Sequence, residues 1–333
     1  MFKKIAIYGA GAIGGWIGAR LAEKGAEVSV VARGATLEAL RQGGLRLRQK
    51  GADAVEHESA QAVRASADPA ELGVQDLVIV AVKAPGMADV AGRIGPLLGP
   101  KTVVLTAMNG VPWWFLQGFG GLIAGQRLES VDPGGAIARA IAPAHVIGCV
   151  VHASCALDAP GVIRHHFGQG LIIGEPAGGD SARVQALAGL LQEAGFEATV
   201  SPQIQKDVWY KLWGNMTVNP VSAFTGATAD RILDDDLVRG FISAVMLEAR
   251  EIGARIGIPI EQQPEDRHMV TRKLGAFTPS MLQDVRAGKP VEIDALVSAV
   301  RELGVLTQTP APFTDALLGL ARLHARVHGL YPE

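Results

Sequence analysis

Apolar residues are spaced in two different ways along the chain, and the change falls near residue 200. In the first part, short continuous runs alternate with stretches of helical spacing. Residues 4–8 read as a short buried strand, 12–24 as a helix and 27–32 as a second strand. Residues 76–82 (Asp-Leu-Val-Ile-Val-Ala-Val) form a continuous apolar run, the pattern of a parallel strand buried on both faces. Residues 87–98 then read as helix and 102–106 as strand. Strands alternating with helices of this size imply βαβ units around a parallel sheet. Residues 45–58 alternate irregularly and predict a hairpin. Between 145 and 173 the pattern predicts short strands separated by the turn sequence Asp158-Ala159-Pro160-Gly161. A helix over 181–194 and a strand over 197–200 close this part.

From Ile204 onward only helical spacing remains, with helices expected over roughly 206–218, 233–256, 280–287, 293–303 and 312–324. Pro202 is the expected joint. The predicted organisation is an α/β domain over residues 1–202 followed by an all-α domain over 203–333. The length of 333 residues suits two domains at about 150 residues each. The 41 glycines concentrate before about residue 179, whereas the last third is rich in Leu, Ala, Arg and Glu. No internal repeat or low-complexity linker interrupts the pattern.

Composition narrows the function classes. With 48% hydrophobic and 19% charged residues, a predominantly disordered chain is excluded. Lys plus Arg number 31 against 33 Asp plus Glu, a net charge of -2. That balance gives no footprint for nucleic acid or an anionic membrane, so an anionic ligand must be caught by a local site. No apolar run reaches the ~18 to 20 residues of a transmembrane helix. The start, Met1-Phe2-Lys3-Lys4, is followed by too short an apolar run for a signal peptide. Two cysteines, Cys149 and Cys155, without a C-x-x-C pattern fit a reducing, cytoplasmic setting. His152, His165 and His166 have no carboxylate or cysteine at ligand spacing, so no metal site is expected.

Gly9-Ala10-Gly11-Ala12-Ile13-Gly14 is G-x-G-x-x-G directly between a predicted strand and a predicted helix. The first glycine permits the tight turn, the second lets backbone approach a pyrophosphate, and the third allows close helix–strand packing. The free N–H groups at the helix start then bind the anion. The first domain is therefore expected to be a Rossmann-type dinucleotide-binding domain. At the end of the second strand, where an NAD enzyme places an acid for the ribose hydroxyls, the chain has Val31-Ala32-Arg33-Gly34. An arginine there suits a 2′-phosphate, so NADP(H) is the expected cofactor. The alternative is a solvated surface arginine.

Lys211, Asn215 and Asn219 recur at i, i+4 and i+8 within Trp209-Tyr210-Lys211-Leu212-Trp213-Gly214-Asn215-Met216-Thr217-Val218-Asn219-Pro220. They share one helical stripe among apolar neighbours. Buried amides and an ammonium cost free energy unless paired, which points the stripe at a cleft. Spacing alone equally allows a surface lysine with two core or capping asparagines. A third segment, Ser280-Met281-Leu282-Gln283-Asp284 followed by Glu292-Ile293-Asp294, is on its own an ordinary capped helix.

Taken together, the glycine loop, Val82-Lys83-Ala84, Asn109-Gly110, the Lys211 segment, the Ser280 segment and Glu292-Ile293-Asp294 resemble the ketopantoate reductase (2-dehydropantoate 2-reductase) family over nearly the whole chain. The resemblance implies a Rossmann domain and a helical domain, with NADPH and a small 2-oxo acid in the cleft between them, and a place in pantothenate biosynthesis. It implies Lys211 as proton donor to the substrate carbonyl oxygen, and Asn215, Asn219 and Ser280 as holders of the carboxylate and hydroxyl groups. Asn109 would sit beside nicotinamide and substrate, and Glu292 would bridge cofactor ribose and substrate. Arg33, Lys83 and Ser154 would contact the cofactor. A homodimer is compatible with this reading, and neither nucleic acid nor a membrane is expected as a partner.

The chain departs from that pattern at Phe277 and Ala229, where some members carry asparagine, and in a longer stretch after Asn109 containing Trp113-Trp114-Phe115. These changes are expected to add apolar bulk at the far end of the substrate. Two other functions stand beside the reductase: an NADP(H)-binding sensor without turnover, and a related dehydrogenase acting on another hydroxy acid.

Overall fold

Ile5, Ala6, Ile7 and Tyr8 are all buried, as a strand covered on both faces requires. They form β1 (Lys4–Tyr8) in a computed structural model that describes residues 2–51 and 54–332. The chain separates into two compact units, Met1–Met108 with Ala136–Ile204, and Asn109–Gly135 with Gln205–Glu333.

The first unit continues through α1 (Ala12–Glu23), β2 (Glu27–Val31), α2 (Gly34–Gly43), β3 (Leu45–Lys50), β4 (Glu56–Gln61), β5 (Arg64–Ser66), β6 (Leu77–Val80), α3 (Met87–Arg93) and β7 (Val103–Ala107). It resumes with α4 (Ala136–Ala140), β8 (Val146–Ala159), β9 (Val162–Gly174), α5 (Ala182–Glu193) and β10 (Glu197–Val200). Among the described residues, ten strands join one sheet in the order β4-β3-β9-β8-β7-β6-β1-β2-β5, with β10 also on β9. From β5 to β8 through β2, β1, β6 and β7 every pairing is parallel. This is the strand order of dinucleotide-binding sheets, and the winding reverses between β1 and β6. Ala6 marks the register there, opposite Ser29 on one side and Val78 on the other.

The short strands expected over 145–173 are instead two long antiparallel strands of 14 and 13 residues, β8 and β9. Only the first six residues of β8 are uniformly buried, and register shifts beyond His152 break the alternation, so the outer half carries no strand-like pattern. The added length lets β9 pair with β3 near Val162 and with β10 near Gly170. The expected hairpin is present as β3 and β4, and residues 52 and 53 between them lie outside the described residues.

The second unit is helical: α6 (Ile204–Thr225), α7 (Ala229–Asp234), α8 (Asp236–Arg255), α9 (Pro264–Arg272), α10 (Ser280–Arg286), a π-helical turn at Asp294–Ser298, α11 (Ala299–Leu306) and α12 (Pro312–Val327). Two expectations change. The helix expected to stop at 218 runs through Pro220, because its surroundings are buried on nearly all sides and packing outweighs one lost backbone bond. The single helix expected over 233–256 is broken at Asp235, whose carboxylate accepts the N–H groups of Leu237 and Val238 at 3.1 and 3.0 Å and so starts α8 afresh.

Residues 109–135 fold with this helical unit, which a single boundary at 202/203 does not include. Trp113, Trp114 and Phe115 are 4%, 1% and 0% exposed. The Phe115 ring lies 5.9 Å from that of Trp209, and its carbonyl accepts from Gln205 Nε2 at 3.3 Å. The apolar bulk expected beside the substrate is therefore core of the helical unit. Glu302 completes the attachment by accepting the N–H groups of Glu129 and Ser130 at 2.7 and 2.9 Å. Among the described residues no helix is long and apolar enough to cross a membrane.

Candidate active site

In the sheet unit the glycine loop sits where the strand order reverses, the place where open parallel sheets bind ligands. Gly9 has φ +100°, and a Cβ there would meet Val82 Cγ1 at 2.7 Å. A Cβ on Gly14 would lie 2.1 Å from the Gly9 carbonyl oxygen and 2.9 Å from Ala81 Cβ. Both glycines are thus fixed by contact with the chain itself. Gly11 differs: nothing stands within 4 Å of the Cβ position, so open space faces the loop where a pyrophosphate would approach. Gly11 is also the N-cap of α1, with no side-chain cap and no acid in the first turn formed by Ala12, Ile13 and Gly14. The first-turn N–H groups are left for a ligand. The loop residues, Ala10 included, fit a dinucleotide.

Lys83 follows β6, one residue beyond the Val82 that abuts Gly9, and its side chain is exposed. Arg33 ends the β2 segment as N-cap of α2 and pairs with Asp89 on α3 at 3.2 Å. With side chains 65% and 35% exposed, such a pair is worth about 0 to 1 kcal/mol. Ser154 stands on β8, two strands beyond β6, opposite Phe167 at a break in register. The loop and the Lys83 segment are brought together, and Ser154 lies farther along the sheet.

In the helical unit, Lys211, Asn215 and Asn219 line one stripe of α6 as their spacing requires. Lys211 Nζ donates to Asn109 Oδ1 at 2.8 Å. Asn109 is held through the next two residues of the chain. Gly110 has φ +82° and lies so close to Ala295 that a Cβ would be 2.6 Å from the Ala295 Cβ and carbonyl oxygen. The Val111 N–H then donates to that carbonyl at 2.8 Å. Glu292, 7% exposed, stands just before Ala295 at the π-helical turn. Ser280 is half-buried as the first residue of α10, with Pro279 rather than the serine in the N-cap position. Among the described residues no hydrogen bond engages the side-chain amides of Asn215 or Asn219, although Asn219 is only 8% exposed. Two amides in line with an ammonium can take a carboxylate and a carbonyl oxygen together.

Phe277 and Ala229 meet: the Ala229 N–H donates to the Phe277 carbonyl at 3.0 Å. Arg267 escapes sequence reasoning, because in a helix with an acidic first turn it reads as a surface residue. Its guanidinium lies 5.4 Å over the Tyr210 ring and fills the space left by Gly214, one position before Asn215. Burial pushes its pKa below the usual arginine value. Burial pushes the Cys155 thiol up to about 12, far from a nucleophile, and His165 stacks on Trp16 with ring centroids 5.2 Å apart.

Family models described as ketopantoate reductase PanE/ApbA and its C-terminal part match residues 5–113 and 203–325. A 2-dehydropantoate 2-reductase of Mesorhizobium japonicum is 47% identical over 98% of this chain and 99% of its own. A crystal structure from Ralstonia solanacearum, assigned as a ketopantoate reductase, is 57% identical with a TM-score of 0.94, covering 99% of this chain and all (100%) of that one. D-mandelate dehydrogenase, solved with NADH and anilino(oxo)acetate, has a TM-score of 0.83 over 98% of this chain and 99% of its own. At 20% identity that likeness speaks for the fold alone. A sheet with its glycine loop at the switch point, a helical unit presenting lysine and amides, and these likenesses over the full length agree: the chain belongs to the ketopantoate reductase family of oxidoreductases.

Proposed function

We propose that this chain reduces a 2-oxo acid, 2-dehydropantoate or a close analogue, to the 2-hydroxy acid, with NADPH as reductant. The observation that carries the reading is the Lys211 Nζ to Asn109 Oδ1 hydrogen bond of 2.8 Å beside two amides with no side-chain hydrogen bond among the described residues. The dinucleotide, when bound, supplies the hydride. Gly9 to Gly14 hold its pyrophosphate, and Arg33, Lys83 and Ser154 contact the rest of it. Asn215, Asn219 and Ser280 hold the carboxylate and hydroxyl groups of the oxo acid. The Lys211 ammonium holds the carbonyl oxygen, stabilises the negative charge that grows there and gives up a proton to it. Asn109 keeps that ammonium aimed, and Glu292 bridges cofactor ribose and substrate. The test is dinucleotide oxidation with a panel of 2-oxo acids. Absence of turnover with every acid and both dinucleotides removes the reductase reading and leaves a sensor.

Cofactor choice follows from Arg33. Wild type is expected to prefer NADPH over NADH, and Arg33→Ala to lose about 1.5 to 3 kcal/mol of that preference, roughly ten- to a hundredfold in affinity. Titration of both dinucleotides into both proteins reads this directly. Equal wild-type affinities would show that Arg33 serves Asp89 and nothing else.

Substrate preference follows from Phe277 and Ala229. Buried amides penalise a substrate that lacks the matching hydroxyl, because they are left unpaired. With Phe and Ala adjacent in their place, at least one branched or aromatic 2-oxo acid should be reduced as efficiently as ketopantoate. The comparison is kcat/KM for ketopantoate, 2-oxoisovalerate and phenylpyruvate under one set of conditions. A ketopantoate preference of ~10³-fold or more would require a polar contact that Phe277 and Ala229 do not supply.

A further inference from the structure

The C-terminal turn packs against the residues that flank Glu292. Leu330 is 5% exposed, and its carbonyl accepts the Val291 N–H at 3.1 Å. Tyr331 comes next, and its hydroxyl donates to Asp294 Oδ1 at 2.7 Å. These two bonds bracket Glu292, one on the residue before it and one on the second residue after it. Asp294 Oδ1 also accepts from Ser298 Oγ at 2.8 Å, spanning the π-helical turn. Such turns are uncommon and recur at functional sites.

The series continues toward Lys211. Ala295, next to Asp294, accepts the Val111 N–H at 2.8 Å and leaves no room for a side chain at Gly110. Asn109, next to Gly110, accepts from Lys211 Nζ at 2.8 Å. Bonded contacts within one compact unit therefore run from the Tyr331 hydroxyl to the Lys211 ammonium. The turn itself is held: Arg326 lies 5.7 Å over the Tyr331 ring, and its Nε donates to the Pro332 carbonyl at 2.9 Å. Burial, then the Asp294 carboxylate, pushes the Tyr331 hydroxyl up to about 12, so it remains a donor through neutral and mildly alkaline pH.

We propose that Tyr331 is a positioning residue for the reaction: through Asp294 and Ala295 it fixes where Glu292 and Asn109 stand, and through Asn109 the direction of the Lys211 ammonium. The proposal rests on the reading of Lys211 as proton donor. Small displacements of a positioned group are costly in turnover, since the reacting atoms must be aligned to a fraction of an ångström. A phenylalanine would keep the ring beneath Arg326 and remove only the donor.

The experiment compares full-length wild type, Tyr331→Phe and Lys211→Ala for turnover of the preferred 2-oxo acid, with amide exchange at Val111 as a second readout. Tyr331→Phe is expected to lower kcat about fivefold, the worth of one net hydrogen bond, with KM and the thermal midpoint nearly unchanged. Exchange at Val111 should quicken. On an Asp294→Ala background the same substitution should add no further loss, because the bond it breaks is already gone. A Tyr331→Phe kcat equal to wild type overturns the proposal, as does a loss with unchanged Val111 exchange or one that adds in full to Asp294→Ala. Normal turnover in Lys211→Ala would instead remove the proton-donor reading, and Val111 exchange would then report separately whether Tyr331 holds the Asn109 loop.

Discussion

Replacing Lys211 with alanine is expected to lower turnover of the preferred 2-oxo acid by at least ~10²-fold while dinucleotide affinity changes little. The size reflects what the ammonium is asked to do. In the proposed reaction it would face a carbonyl oxygen that becomes an alkoxide, and a positioned proton donor contributes about 10²- to 10⁴-fold. The loss should appear in kcat, because the interaction strengthens as charge develops. Lys211→Arg separates the two contributions. The guanidinium keeps a positive charge but holds its proton too firmly to donate it, so it should recover substrate binding and little turnover. Single-turnover kinetics with saturating dinucleotide reads both variants. Unimpaired turnover in Lys211→Ala would leave Lys211 as a helix lysine that tethers Asn109.

The glycine loop gives a prediction of comparable size and a built-in control. Gly14→Ala puts a Cβ 2.1 Å from the Gly9 carbonyl oxygen, an atom of rigid backbone that cannot rotate away. Either α1 lifts from β1 or the loop opens, and overpacking of this kind typically costs about 1 to 3 kcal/mol or more. Thermal midpoint and dinucleotide affinity should both fall. Gly11→Ala should behave differently, since no atom of the chain lies within 4 Å of the added methyl. Its stability should match wild type, while dinucleotide affinity should drop at least ~10-fold if, as proposed, the pyrophosphate approaches where the methyl would stand. Melting curves and dinucleotide titrations on the two variants make the comparison. Full affinity in Gly11→Ala would show that the open space is not a phosphate site.

The sheet unit is largely legible in the sequence because its signals are local. Residues 77–80 are buried on both faces and read as a strand without reference to anything else, and Gly9 to Gly14 join a strand directly to a helix. Where burial is one-sided and the register slips, as beyond His152, periodicity reports nothing and the strands come out longer than expected. Helix limits fail for a different reason. Pro220 carries a strong local stop signal, which packing around α6 overrides. The stripe of Lys211, Asn215 and Asn219 is visible from spacing, but its partner is not. Asn109 lies 102 positions away, and no local pattern encodes that pairing. The aromatic run 113–115 is misplaced on the same ground: its apolar character is plain, and which core it enters depends on Trp209 and Gln205.

That run also bears on how the chain becomes folded. The helical unit is built from two stretches, 109–135 and 205–333, with most of the sheet's second half synthesised between them. Phe115, with the equally buried Trp113 and Trp114 beside it, leaves the ribosome long before Trp209 and Gln205, the residues that Phe115 settles against. At about 5 to 20 residues per second the interval lasts about 5 to 20 seconds, during which an aromatic cluster has no core to enter. Nascent chains paused between residues 136 and 204 should therefore be the forms most dependent on chaperones and most given to aggregation. A fragment cut at 202, where composition suggests a clean boundary, would keep that cluster permanently exposed. Dissecting this protein into separately expressed halves calls for replacing 109–135 with a short polar linker in the sheet half, and fusing it to α6 in the helical half.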